Sequence, residues 1–253
     1  MMRASLFGLG TAISIVFSGS VYASETPKLP AQEWSWQGIF GTFDQQELQR
    51  GLQVYLEACS SCHGLKHVAY RNLTALGYND EQVKAFAAEY EIEDGPDDEG
   101  EMYFRLARPS DHFVSPFPND QAARASNNGA LPPELSLIAE ARQGGADYIY
   151  ALMTGYVDPP EGVDLPDGMN FNTYFASQQI AMPQPLFEDG VEYADGTKAS
   201  IDQMARDVSA FLTWTAEPYL DERKSMGFKV ILFLLVFTAM LIAVKRKVWA
   251  DVK

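Results

Sequence analysis

Both cysteines of this 253-residue chain and two of its three histidines fall in one stretch, EACSSCHGLKH, residues 57–67. Cys59 and Cys62 are three apart and His63 follows at once. That is the attachment pattern for a c-type haem. Two thiols on one turn add across the vinyl groups of a haem edge as thioethers, and the next residue offers the iron a neutral imidazole nitrogen. Two other chemistries fit less well. A redox dithiol needs a strand–helix setting that the flanks do not supply. Zinc needs four ligands from a chain with only two cysteines. His67, one helical turn beyond His63, reads as a polar residue rather than a second ligand.

A haem iron has a second face, and an electron carrier fills it, since an open position invites oxygen or peroxide chemistry. The candidates are His112, Met102, Met153, Met169, Met182 and Met204. Met153 lies in the apolar helical run ADYIYALMTGY and Met204 on a C-terminal helix, so both are expected to fill the core. Met182 sits in QQIAMPQPLF, where Pro183 and Pro185 stiffen the backbone. The loop argument favours Met182, with Met169 of LPDGMNF next.

These groups need elements to hold them. Leu48, Leu52, Tyr55 and Leu56 recur at helical spacing, so a helix should run into Cys59. Gly51 lies on the same stripe and permits close approach of a second helix. The expected partner is SIDQMARDVSAFLTWTAEP, with Ser200 as N-cap, Gln203 closing a capping box and Pro218 beyond the end. Its apolar face is Met204, Val208, Phe211 and Trp214 or Leu212. Two such helices crossing beside the haem motif resemble the class I cytochrome c fold. The chain is thus expected to be mainly α, with long ordered loops. HFVSPFPNDQAARASNNGALPPELS reads as an extended wrapping segment. In ARQGG, Arg142 is either a haem-propionate donor or an ordinary surface arginine. The sequence has no phosphate-binding glycine loop, and no serine or cysteine nucleophile is left for hydrolysis.

The ends set the compartment. Residues 1–23 read as a cleaved secretory signal: Arg3, an apolar run, then small residues through SGSVYA. Residues 226–244, MGFKVILFLLVFTAMLIAV, would cover roughly 28 Å as a helix, enough to cross a bilayer. Lys245, Arg246 and Lys247 follow and keep the tail 245–253 cytoplasmic. DERKS reads as a polar linker into this anchor. The domain from 24 to 225 is then periplasmic. It carries 13 basic against 33 acidic residues, net −20, which repels nucleic acid and attracts basic proteins. Its densest stretch, EYEIEDGPDDEGE at 89–101, is either a solvated mobile loop or a steering surface.

Four blocks in order resemble the cytochrome c1 family, the haem subunits of the cytochrome bc1 complex: RGLQVYLEACSSCHGLKHVAYRNL, ARASNNGALPPELSLIAEARQGGADYIYALMTGY, MNFNTYFASQQIAMPQPL and MARDVSAFLTWTAEPYLDERKSMGFK. The resemblance implies one covalent haem c on Cys59 and Cys62, His63 and Met182 as axial ligands, and Arg142 and Tyr148 at the propionates. Glu134 stands where the family often has aspartate, a conservative surface change on this reading. Some bacterial members brace the methionine loop with a disulfide, for which this chain has no cysteines left, so Pro183, Pro185 and packing must serve. The implied function is a one-electron relay at the inner membrane, from the Rieske iron–sulfur protein beside cytochrome b to a basic cytochrome c, within a dimeric complex. The lone chain transforms no substrate. A free-standing anchored cytochrome feeding a terminal oxidase, and a haem enzyme or sensor with an open sixth position, are the alternatives.

Overall fold

The computed structural model describes residues 27–252, so the expected signal segment lies outside the described residues. The fold is mainly helical. Helix α1 (Gln45–Val54) starts where the Asp44 carboxylate accepts from the backbone N–H groups of Gln46 and Glu47 at 2.8 and 3.2 Å. It passes into a wider π turn, Tyr55–Cys59, closed by the Ser60 N–H on the Tyr55 carbonyl at 2.8 Å. A 3₁₀ segment (Tyr70–Leu76) and α2 (Asp80–Ala87) follow, then an antiparallel hairpin of β1 (Glu91–Asp94) and β2 (Tyr103–Leu106). Short helices α3 (Asp120–Ser126) and α4 (Ile138–Ala141) lead to α5 (Gly145–Thr154). Strands β3 (Asn170–Phe171) and β4 (Gln179–Ile180) form a two-residue ladder ahead of α6 (Ile201–Ala216) and α7 (Leu220–Val248).

The core is built on the crossing of α1 and α6, against which α4 and α5 also pack. Leu48, Leu52 and Tyr55 meet Met204, Val208, Phe211, Leu212 and Trp214, all buried. Gly51 is what allows the contact. A Cβ there would sit 2.1 Å from the Asp207 carbonyl oxygen and 2.6 Å from the Phe211 Cβ. Beside it the Arg50 guanidinium holds the fully buried Asp207 carboxylate through two bonds of 3.0 and 3.1 Å, and reaches Asp195 at 3.0 Å. Removing either partner would leave an uncompensated charge in the core.

Four expectations change. Ser200 caps α6 by accepting from the Gln203 N–H, but the Gln203 amide turns to Asp207 at 3.1 Å and leaves the capping box half made. The wrapping segment contains α3, begun by the Asn119 side chain accepting from the Ala122 N–H. The DERKS linker is helical, inside α7. The acidic run is not a free loop: residues 91–94 pair with β2, and the Arg105 fork holds Asp111 at 2.7 and 3.1 Å and also Asp94. Cross-strand pairing and one arginine offset the local repulsion. Helix α7 is long and apolar enough to span a membrane, and none of its residues is buried. Methionines 153 and 204 are core residues, as expected.

Candidate haem-binding site

The π turn delivers Cys59 at the end of α1. From there the chain tightens, with the Cys62 and His63 N–H groups both donating to the Cys59 carbonyl at 3.1 and 2.9 Å. Both sulfurs are half-buried on this one turn, and the two do not pair as a disulfide. Burial pushes the Cys59 thiol up to about 12, with Cys62 adding to it. The buried Tyr55 hydroxyl donates to the His63 carbonyl at 2.9 Å and pins the loop back onto α1.

His63 Nδ1 lies 2.7 Å from the Pro133 carbonyl oxygen, which has no proton to give. Nδ1 therefore carries the hydrogen, and Nε2 presents its lone pair outward. Burial lowers the imidazole pKa and favours the neutral form a metal needs, with the Pro133 bond opposing. Pro133 is itself held. The neighbouring Glu134 carboxylate accepts from the Lys66 N–H at 2.8 Å and the Ser136 N–H at 3.0 Å, and the Ser136 hydroxyl bonds it as well. The Ser136 oxygen in turn accepts from the His67 N–H at 3.1 Å, and the Leu135 N–H donates to the Gly64 carbonyl at 3.0 Å. Glu134 is thus a brace between the two segments, not a surface change. The His67 side chain is exposed.

Met182 is half-buried against the core. Its carbonyl accepts from the Tyr156 hydroxyl at 3.1 Å and the Asn170 amide at 3.3 Å. The β3–β4 ladder pairs Asn170 with Ile180, and a bridge pairs Tyr156 with Asn172. Buried Asn172 accepts from the N–H groups of Tyr174 and Phe175 at 3.0 and 3.2 Å and donates to the Leu152 carbonyl at 2.8 Å. The Met182 segment is thus held by the Tyr156 hydroxyl and the Asn170 amide. Met169 is half-buried beside a cleft of about 420 Å³ that Tyr156 and Asn170 also line. His112 and Met102 are exposed.

Arg142 and Tyr148 come together where α4 gives way to α5. Burial raises the Tyr148 phenol, and the charge of the Arg142 guanidinium opposes; the guanidinium itself donates to the Ala141 carbonyl at 3.1 Å. Burial raises the Tyr156 phenol, with Tyr148 adding to it, and the Tyr156 hydroxyl is the one that donates to the Met182 carbonyl. The larger cleft, about 550 Å³ between α1, the 3₁₀ segment and α2, is lined by none of Cys59, Cys62, His63, Arg142, Tyr148 or Met182.

The donor set fits a c-type haem: two thiols on one turn, an imidazole whose free nitrogen is set by its partner, and a thioether on a tied loop. Sequence reasoning missed Pro133, Tyr156 and Asn170, and took Glu134 for a surface position. Only the Pro-Pro-Glu run and the tyrosine after Gly155 hinted at a backbone that must be held.

Residues 34–252 match the model of the cytochrome C1 family. Cytochrome c1 of Rhodospirillum rubrum is 49% identical over 270 residues, covering 100% of this chain and 98% of that protein. The mitochondrial cytochrome c1 haem protein of Saccharomyces cerevisiae is 50% identical over 225 residues, covering 88% of this chain and 73% of its own. Cytochrome b/c1 of Bradyrhizobium diazoefficiens is 45% identical over 271 residues, covering 95% of this chain and 39% of that longer protein. With haem-attachment spacing at Cys59, Cys62 and His63, a Met182 loop tied by Tyr156 and Asn170, and a match over nearly the whole described length, the chain belongs to the cytochrome c1 family.

Proposed function

We propose that the chain is the haem-carrying electron-transfer subunit of a bc1 complex, receiving electrons from a Rieske iron–sulfur protein beside cytochrome b. It hands them on to a basic cytochrome c. The names of two relatives, a cytochrome b/c1 and a cytochrome b-c1 complex catalytic subunit, support membership of the complex. The observation that carries the redox reading is the His63 ring, whose Nδ1 bond to Pro133 leaves Nε2 as the donor.

A covalent haem c supplies reversible one-electron chemistry when bound. The roles of the chain's residues follow from their chemistry. Cys59 and Cys62 would anchor the group as thioethers, and His63 and Met182 would hold its iron through an imidazole nitrogen and a thioether, a pairing that favours a raised potential. Arg142 and Tyr148 would donate to its propionates. Tyr156 and Asn170 hold the Met182 backbone so the thioether keeps its aim. The −20 charge of residues 24–225 speeds encounter with a basic acceptor and is screened enough to let it leave.

The same reading places residues 24–225 in the bacterial periplasm, 226–244 in the inner membrane and 245–253 in the cytoplasm, after removal of 1–23. Copurification tests it. Detergent-solubilised membranes should yield the haem-stained chain together with cytochrome b and the Rieske protein. A chain that leaves the membrane alone would be a free-standing anchored cytochrome instead. Rapid carbon monoxide binding to the reduced native chain would reveal an open sixth position and refute the ligand pair.

A further inference from the structure

Between Glu33 and Asp44 the chain runs WSWQGIFGTF without a charge. Its two ends are packed. Trp34 and Trp36 are buried and stack with centroids 5.0 Å apart, and Trp36 meets Phe43 at 5.1 Å. Its middle is not: Ile39 is 76% and Phe40 74% exposed. Gly38, at φ +73°, and Gly41, where a Cβ would meet the Gln37 carbonyl at 2.0 Å, form the tight turn that thrusts these two side chains outward.

The turn is fastened to the first turns of α7. Asp221 accepts from the Phe43 N–H at 3.2 Å, and the Lys224 ammonium donates to the Gly41 carbonyl at 3.0 Å and to the Trp36 carbonyl. One helical turn further, about 6 Å along the axis, Phe228 meets the Phe40 ring edge-on at 6.0 Å. Phe228 belongs to the apolar run of 226–244, so Phe40 is tied to the depth at which that run begins.

We propose that Ile39 and Phe40 form a second membrane contact, a finger seated in the boundary between lipid headgroups and acyl chains beside the anchor. The proposal rests on the reading of α7 as a membrane span. An uncharged segment with outward apolar tips, at the level where the span begins, is the chemistry that inserts a few ångströms into that boundary. The three ties to α7 then transmit the membrane plane to the N-terminal strap and, through Trp34 and the Asp147 carboxylate its indole donates to at 2.8 Å, to the start of α5. The finger sets how the haem domain stands on the bilayer, which a single helix leaves free to swivel.

The test uses the full haem-loaded chain, in its complex, in phosphatidylcholine bilayers. A nitroxide is attached in turn to Phe40→Cys, Phe228→Cys and Glu99→Cys, the last an exposed control in the hairpin turn. Haem absorbance certifies folding. Collision with oxygen, which partitions into lipid, is compared with collision with a water-soluble nickel chelate. The expected result is loss of nickel accessibility with retained oxygen accessibility at 40 and 228, and nickel accessibility at 99. A lipid signal at 228 with nickel-accessible 40 overturns the finger and leaves the anchor standing. Shielding of 40 from both reagents means another subunit covers it, and also overturns the proposal. Nickel access at 228 refutes the anchor reading itself.

Discussion

The hold on Met182 is the feature most open to a quantitative test. Two side chains reach its carbonyl: the Tyr156 hydroxyl at 3.1 Å and the Asn170 amide at 3.3 Å. Each such bond contributes about 0.5–1.5 kcal/mol net. If loop release is what frees the sixth position, Tyr156→Phe raises the released population by roughly 2- to 13-fold. Removing both in Tyr156→Phe/Asn170→Ala costs up to about 3 kcal/mol, a rise of order 100-fold if the two add. The assay is carbon monoxide binding to the reduced protein, whose rate follows the released population, read beside the methionine–iron charge-transfer band of the oxidised protein. Met182→Leu sets the limit: full opening, loss of the band and a lowered potential. Should the double variant bind carbon monoxide no faster than native while Met182→Leu binds rapidly, the two bonds do not hold the loop. Should Met182→Leu keep native spectra and potential, Met182 is not the ligand.

Gly51→Ala forces a methyl against the Asp207 backbone at 2.1 Å. Overpacking of about 3 kcal/mol lowers the thermal midpoint by roughly 6–12 °C, and an unchanged melt would disprove the close crossing. Glu134→Ala removes a carboxylate accepting from Lys66 and Ser136. It is expected to shift the haem potential by loosening Pro133 against His63, whereas Glu134→Asp largely restores it; equal potentials in all three proteins would make Glu134 a bystander. Arg105 holds the Asp94 and Asp111 carboxyls below the usual carboxylate range, chiefly by its side-chain hydrogen bonds. That tie is fully present above the unfolded value near pH 4 and is lost as pH falls through the lower folded values. Protection of the hairpin amides, measured against the intrinsic exchange rate at each pH, should therefore fall on acidification in native protein and be already low at neutral pH in Arg105→Gln. Neutralising the acids of 89–101 should flatten the ionic-strength dependence of electron transfer to a basic cytochrome c. Equal slopes would show that the run does not face the acceptor.

Much of this protein is written locally. Cys59, Cys62 and His63 lie within one short stretch, so their spacing alone points to haem attachment. The α1 and α6 stripes and the 226–244 run obey periodicity and length rules that need no partner. Gly51 announced a close crossing because only a missing side chain explains glycine in a helical apolar stripe. What the sequence could not determine are the contacts between segments far apart in the chain. Pro133 fixes the His63 tautomer from 70 residues away, Tyr156 reaches Met182 across 26, and Lys224 grips Gly41 across 183. Each is a single polar group whose partner is a backbone carbonyl, and every residue has one of those. Composition and spacing carry no record of which carbonyl a side chain will meet; only the packed chain decides that.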